Sequence, residues 1–441
     1  MKYLLRSHIV FALAVLVYAQ PENASASPPG WPQFLGPDRN AISGETGLAR
    51  KWAATGPKEI WSIKVGPGFG GASVVGNDVY ILDRVDIDRE VLRCLDFRSG
   101  KETWNYEYAT KKVKLPVSGS RSTPTVEGDF IYTLGRLGNV NCVNRRTHKV
   151  VWSQDLMKLF DLKDTARWGY SQSPLVVGNH VIVPSVSSES GNLVAFDKGT
   201  GRKAWQTGEL GGSHYVSPRL YDIAGEKQVL IFGKTKGNRG RFTSVNPATG
   251  KTLWTYEGYS NNIMIPSPTN LGDDRLFVTG GYGAGSVMLR VNKSSGRYSV
   301  KELYRIDAEG SQIHPAIYFR GQLYANWNTN ENLRKGKFQE GGLACIDPDT
   351  GKIRWRTGEK PNFDRGNLIF ADGMIIILDG ELGELALVDP SPGGYHELAR
   401  AKVFSNLKSR RNMIWAPMAL ADGKLIVRSQ DTLKCLNLRA N

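Results

Sequence analysis

Two arginines, two histidines, five aromatic residues and a methionine fall near one point of a repeated pattern: Arg121, Trp168, Tyr170, His214, Tyr215, Met264, His314, Trp327, Arg365 and Trp415. Guanidinium groups pair with carboxylates and phosphates through a rigid fork of donors. Aromatic faces stack on planar groups and attract cations. If these residues converge, they form a basic cup with aromatic walls. Such a cup suits an anionic or planar ligand, or an inserted peptide. His314 precedes a proline and is equally suited to capping a backbone carbonyl.

No constellation for bond-making chemistry accompanies them. The chain has no Gly-x-Ser-x-Gly elbow, no His-Glu-x-x-His pair and no phosphate-binding glycine loop leading into a helix. The carboxylates placed nearby are Asp307, Glu309, Asp364 and Glu257. A hard cation such as calcium needs several oxygen ligands together. The expectation is a binding site with no catalytic residue and no metal.

The elements that position these residues are read from a repeat of about 49 residues. CLDFRSGKETW (Cys94–Trp104) recurs as CVNRRTHKVVW (Cys142–Trp152) and AFDKGTGRKAW (Ala195–Trp205). It recurs again as SVNPATGKTLW (Ser244–Trp254) and CIDPDTGKIRW (Cys345–Trp355). RVNKSSGRYSV (Arg290–Val300) is a degenerate copy, and Leu387 and Cys435 begin partial ones. Apolar alternation predicts a strand. The Asp or Asn can accept backbone hydrogen bonds at a turn. The Gly suits a positive φ, and the Trp then packs between neighbouring sheets. Upstream of each copy, two short strands meet at a tight turn, as in STPTVEGDFIYTLG and SPLVVGNHVIVPS.

Eight such units predict an all-β fold, an eight-bladed β-propeller with four-stranded antiparallel blades. The strands are called A to D from the axis outward. The eighth unit ends at Asn441 without a D strand, whereas KEIWSIKV (Lys58–Val65) supplies a spare one with Trp61 in the repeat position. The N-terminal strand is therefore expected to close the last blade.

The division that follows is a signal peptide over 1–26, an arm over 27–57 and the propeller over 58–441. Lys2 and Arg6 precede the apolar stretch Ile9–Tyr18, which is too short to span a bilayer, and Ala24-Ser25-Ala26 or the earlier Val17-Tyr18-Ala19 is the expected cleavage site. The arm contains GWPQFLGPDRNAISGETG, with Trp31 and Phe34 as anchors against the ring. The four cysteines share one slot, two residues before the turn Asp or Asn. Equivalent positions on packed sheets lie roughly 10 Å apart, too far for a disulfide. Free buried thiols are expected.

In this topology the A–B and C–D turns are short and face one way. The B–C and D–A loops are long, face the other way and carry the ten residues above. The net charge of +15 suits an anionic partner: a protein, a small molecule or a polysaccharide. The export signal argues against nucleic acid. The basic runs Lys111–Lys114 and Lys408–Arg411, with Lys234, Lys236 and Arg239, read as solvated surface.

The repeat resembles that of the exported pyrroloquinoline-quinone (PQQ) β-propellers, best in Asp96…Gly100…Trp104 and Asp347…Gly351…Trp355. It is similar also to the outer-membrane assembly scaffold propeller, although no lipobox cysteine is present. Trp31, Pro32, Phe34, Gly36, Pro37, Arg39 and Asn40 match the start of a group of exported PQQ-like propellers without a demonstrated cofactor. Two functions follow. One is a non-catalytic, monomeric, periplasmic or secreted binding or scaffold propeller, which needs no cofactor. The alternative is a quinone-dependent dehydrogenase of alcohols or sugars using PQQ and calcium. For that branch the resemblance implies a stacking Trp, with Trp415 or Trp168 as candidates, and a catalytic Asp that no residue here matches. The adjacent cysteines of several such enzymes are also absent.

Overall fold

A computed structural model of the chain describes residues 30–112, 119–212, 214–235, 239–327, 341–405, 407 and 413–440. The leader 1–26, Lys236 and the run 408–411 lie outside them, as does the end of the run 111–114.

Eight antiparallel sheets follow one another along the chain. Blade 1 is built from Ser73–Val75, Asp78–Asp86, Arg89–Asp96 and Glu102–Ala109. The later blades open with A strands Thr125–Glu127, Leu175–Val177, Arg219–Ile223, Thr269–Gly272, Ile317–Phe319, Asn367–Ala371 and Ala419–Ala421. Strands B and C are buried on both faces between neighbouring blades, as in Met374–Leu378. Strand D alternates between half-buried and exposed, as in Glu102–Ala109. This is the eight-bladed propeller expected from the repeat.

In blades 1, 2, 3, 4 and 6 the C–D turn is built by its Asp or Asn. Asp96 Oδ1 accepts from Arg98 N, Ser99 N and Ser99 Oγ, and Gly100 follows at φ 71°. That glycine also lets the previous blade approach. A Cβ on Gly100 would sit 2.6 Å from the Trp61 ring. The indole N–H then donates across the blade boundary: Trp61 to Phe97 O, Trp152 to Lys198 O, Trp205 to Pro247 O and Trp355 to Ser391 O. Each tryptophan thus locks one blade to the turn of the next. In blade 2 His148 takes the glycine place at φ 59°, and Trp104 stacks on its ring at 4.6 Å.

Blade 5 departs from the sequence alignment. Its C and D strands, Gly285–Ser294 and Arg297–Ile306, form a long hairpin in which Met288 pairs with Tyr304. Those two residues, not Arg290 and Val300, occupy the cysteine and tryptophan slots. Tyr304 OH donates to Pro348 O, and its ring covers Gly351. The lock is kept with a phenol in place of an indole.

The cysteines pair across the C–D ladder with the tryptophans: Cys94 with Trp104, Cys142 with Trp152, Cys345 with Trp355 and Cys435 with Trp61. All four are buried and free. Burial pushes the Cys94 thiol up to about 11 and the Cys142 thiol up to about 12. Thiolate is the reactive form, so the native protein should resist a thiol reagent. Four thiols should titrate in denaturant without reductant. A mass lower by about four protons, indicating two disulfides, would contradict this.

Ring closure uses the N-terminal strand. Glu59–Lys64 runs antiparallel to Thr432–Asn437, with Trp61 opposite Cys435. Inside this seam a carboxylate joins blades 1 and 8. Asp83 accepts from Arg428 Nη2 at 3.1 Å, Arg93 Nη1 at 3.1 Å and Gly66 N. The side chains of Asp83 and Arg428 are each 1% exposed.

Residues 30–49 thread the axis. Gly30–Trp31 adds an inner strand beside Ser73–Val75, and Pro32 O accepts from Val126 N of blade 2. Phe370 N donates to Ala41 O and Ser43 N to Phe370 O in blade 7. Glu45 accepts from Asp422 N and Gly423 N at the A–B turn of blade 8. Trp31 is 1% exposed and Leu35 3% exposed, whereas Phe34 is half-buried.

The arm also repairs a gap in a belt of axial hydrogen bonds. Near the start of strand A, a side chain donates to a carbonyl of the next blade: Ser73 to Pro124, Thr125 to Pro174 and Thr269 to Ala316. Leu175 holds that place in blade 3 and has no donor. Arg39 fills in from the arm, donating through Nη1 to Pro218 O at 2.9 Å. It also reaches Pro174 O and Thr125 Oγ1, while Nε donates to Gln33 Oε1.

Candidate functional site

With the arm across the axis, the ring is a cup rather than a tube. Phe34 and Leu35 form the floor of a cavity of about 230 Å³. Seven of the eight D–A connections contribute to its wall, and the eighth place is taken by Asn367 at the start of strand A of blade 7. The contributors include Phe69, Arg121, Trp168, Tyr215, Ile263, His314, Asn367 and Trp415, with Tyr282 added from the B–C loop of blade 5.

The mouth is aromatic and cationic. Phe69 and Trp415 stack with centroids 5.3 Å apart and planes 25° from parallel. The Arg121 guanidinium lies 4.5 Å from the Phe69 ring centroid and 5.8 Å from that of Trp168. Arg365 lies 4.9 Å from the Trp415 ring, and its Nε donates to Gln312 Oε1. Gln312 Nε2 in turn donates to Tyr282 OH. Burial lowers the Arg121 pKa to about 10, with the Arg136 charge adding to the effect. It remains a cation at neutral pH. Ser171 Oγ and Trp415 Nε1, both buried in the wall, have no hydrogen-bond partner among the described residues.

The structure brings Arg121, Trp168, Tyr215, His314 and Trp415 onto one cavity and sets Arg365 at its rim through Trp415 and Gln312. Four of the ten residues lie elsewhere. Tyr170, Met264 and His214 are buried away from the cup, and in each case a chain neighbour faces it: Ser171, Ile263 with Ile265, and Tyr215. Extended backbone alternates its side chains between opposite faces. The repeat position fixes the segment but not which neighbour faces the axis, so Tyr170, His214 and Met264 fall on the far face. Trp327 ends strand B of blade 6 and is packed between blades against Phe277 and Met288.

His314 lines the cup but also turns inward, its Nδ1 lying 2.7 Å from Pro315 O. Burial lowers its pKa to about 4 and that of His214 to about 3. Both are neutral at physiological pH, so the cationic character comes from the arginines. The sequence reading missed Phe69, Tyr282 and Gln312. Phe69 adjoins Gly70, the residue at the equivalent D–A position of blade 1, and was discoverable there.

The fold is an eight-bladed β-propeller whose blades send side chains to one axial cup. The model of the family described as outer membrane protein assembly factor BamB matches residues 27–158 and 88–325. The chain belongs to that PQQ-repeat, BamB-like β-propeller family, related to the propellers of quinoprotein dehydrogenases.

It is 21% identical over 281 residues to the dehydrogenase subunit of a quinone alcohol dehydrogenase from Gluconobacter oxydans, covering 59% of this chain and 34% of that one. It is 24% identical over 224 residues to BamB from Shewanella oneidensis, covering 51% and 52%. Thus the matches span about a third and about a half of those curated relatives. Among solved structures, a europium-containing methanol dehydrogenase superposes with a TM-score of 0.62 at 15% identity, covering 91% of this chain and 90% of that one. At that identity the likeness concerns the fold. The balance of relatives leans toward quinoprotein dehydrogenases rather than a purely non-catalytic scaffold.

Proposed function

We propose that the cup binds a planar, multiply anionic small molecule of the quinone class, and that the chain is a quinoprotein-type propeller rather than a passive scaffold. The observation that carries this is the pairing of a stacked Phe69–Trp415 wall with the Arg121 and Arg365 guanidiniums at one mouth. A flat ring finds faces there, and its carboxylates find cations. The alcohol dehydrogenases among the relatives support the same choice.

The residues present fit the quinone better than its calcium. No Asp or Glu is among the described residues lining the cup, and no group of three potential metal ligands occurs among the described residues. A bound quinone would supply two-electron redox chemistry; this chain's part is to stack, pair and exclude water. The lack of a carboxylate at the reacting face keeps a second reading open, in which the cup anchors an anionic ligand or a partner's acidic segment without turnover. Both readings place the chain in the periplasm or outside the cell. No helix among the described residues is long and apolar enough to cross a membrane.

Calorimetric titration with pyrroloquinoline quinone, with and without calcium, followed by a dye-linked alcohol oxidation assay, separates these readings. Saturable binding that Arg121→Gln weakens about tenfold supports the cup, and turnover supports the dehydrogenase. Binding without turnover supports the second reading. No binding under either condition overturns the quinone assignment.

A further inference from the structure

The other end of the channel holds a second cavity, of about 520 Å³, bounded by the arm and the A strands of blades 3 to 6. Arg39 and Arg219 both line it and are 3% and 9% exposed. Arg39 spends its donors on neutral oxygens: the carbonyls of Ser173, Pro174 and Pro218, Thr125 Oγ1 and Gln33 Oε1. No carboxylate forms an ion pair with either arginine among the described residues. Arg219 makes one long bond, Nη1 to Pro268 O at 3.4 Å, and its buried Nε has no partner. Two like charges therefore stand at one cavity wall without an ion-paired carboxylate, a costly arrangement, with Arg219 met only by the Tyr221 ring at 5.3 Å and, through space, by Asp38. Burial and the neighbouring Arg219 lower the Arg39 pKa to about 9. Lys227 and Asn270 line the same space, and Lys227 is held by Asp222 at 2.9 Å. Asp38, exposed at the lip, is the only other acid lining the cavity among the described residues.

We propose that this cavity is a second site, separate from the aromatic cup, that takes a small oxyanion, a carboxylate or a phosphate, with Arg219 as donor and Arg39 as fixed charge. Guanidinium forks match the oxygen spacing of both ion types. Asp38 competes with the ligand for Arg219. The site is independent of the quinone reading, because it shares no lining residue with the cup.

Thermal unfolding of the full chain is followed in titrations with inorganic phosphate and with succinate, at constant ionic strength set by chloride. A ligand that binds only the folded state raises Tm in a saturable way. The expected result is a saturable rise with at least one of the two anions, the stronger responder identifying the ion class. Arg219→Gln should weaken the apparent affinity about tenfold, and Asp38→Asn should tighten it about threefold. Arg121→Gln, in the cup, should leave it unchanged. If Arg219→Gln does not fold, the Asp38→Asn arm still decides. No rise above chloride, an unchanged affinity in Arg219→Gln or Asp38→Asn, or a loss in Arg121→Gln overturns the proposal.

Discussion

A chain that begins at Val65 should lose cooperative unfolding altogether. Removing the residues before it deletes the D strand of blade 8 and the whole axial arm. Trp61, Trp31 and Leu35 are at most 7% exposed, and burying three such side chains contributes about 5–9 kcal/mol. A domain's entire stability is about 5–15 kcal/mol. Blade 8 would also present the unpaired edge of Thr432–Asn437, a template for association. Calorimetry should show no sharp transition, and size exclusion should show aggregates. A peptide spanning 30–64, added in trans, should restore part of the transition. A monomeric truncation melting within a few degrees of the full chain would refute the closure argument.

Asp83→Ala should cost about 3–5 kcal/mol, because it leaves the Arg428 guanidinium buried without its counter-charge. Arg93 keeps Glu102 as a partner at 2.5 Å, so the damage concentrates on Arg428. Arg428 Nη1 and Nη2 would retain only the carbonyls of Gly70 and Gly66. The double change Asp83→Ala/Arg428→Met removes the stranded charge and should recover much of the loss. Urea unfolding of the two single variants and the double one forms the cycle that measures this. If Asp83→Ala costs under about 1 kcal/mol, the seam is held by its strands and the ion pair is incidental.

The blades were legible because each unit carries its own local grammar. An Asx turn, a left-handed Gly and a Trp four residues later can be read without knowing the partner sheet. Blade 5 was misread because Tyr304 does the tryptophan's work from a longer hairpin, so the spacing no longer marks it. The cup was legible only by segment. Which of two neighbours faces the axis depends on backbone parity: His214 and Met264 turn into the core while Tyr215 and Ile265 face the cavity. The role of Arg39 could not be read from its surroundings in the chain. Its acceptors lie as many as 179 residues away, and what calls for it is a missing donor at Leu175.

The axial arm also bears on the order in which the molecule is made. Its Glu45 bonds to Asp422, 377 residues further on. At a synthesis rate of about 5–20 residues per second, that partner emerges roughly 20–75 s later. Blades 1 to 7 can form their sheets in the meantime, yet the ring cannot shut behind them. Until the last blade arrives, Gly30–Trp31 can pair with blade 1, but Glu45 and the strand Glu59–Lys64 must wait for their partners. The Gly- and Pro-rich run after Trp31, PQFLGPDRN, is poorly suited to adding itself as a strand to a wrong neighbour. The residues that finally bolt the ring shut are thus among the first made and the last to find their partners.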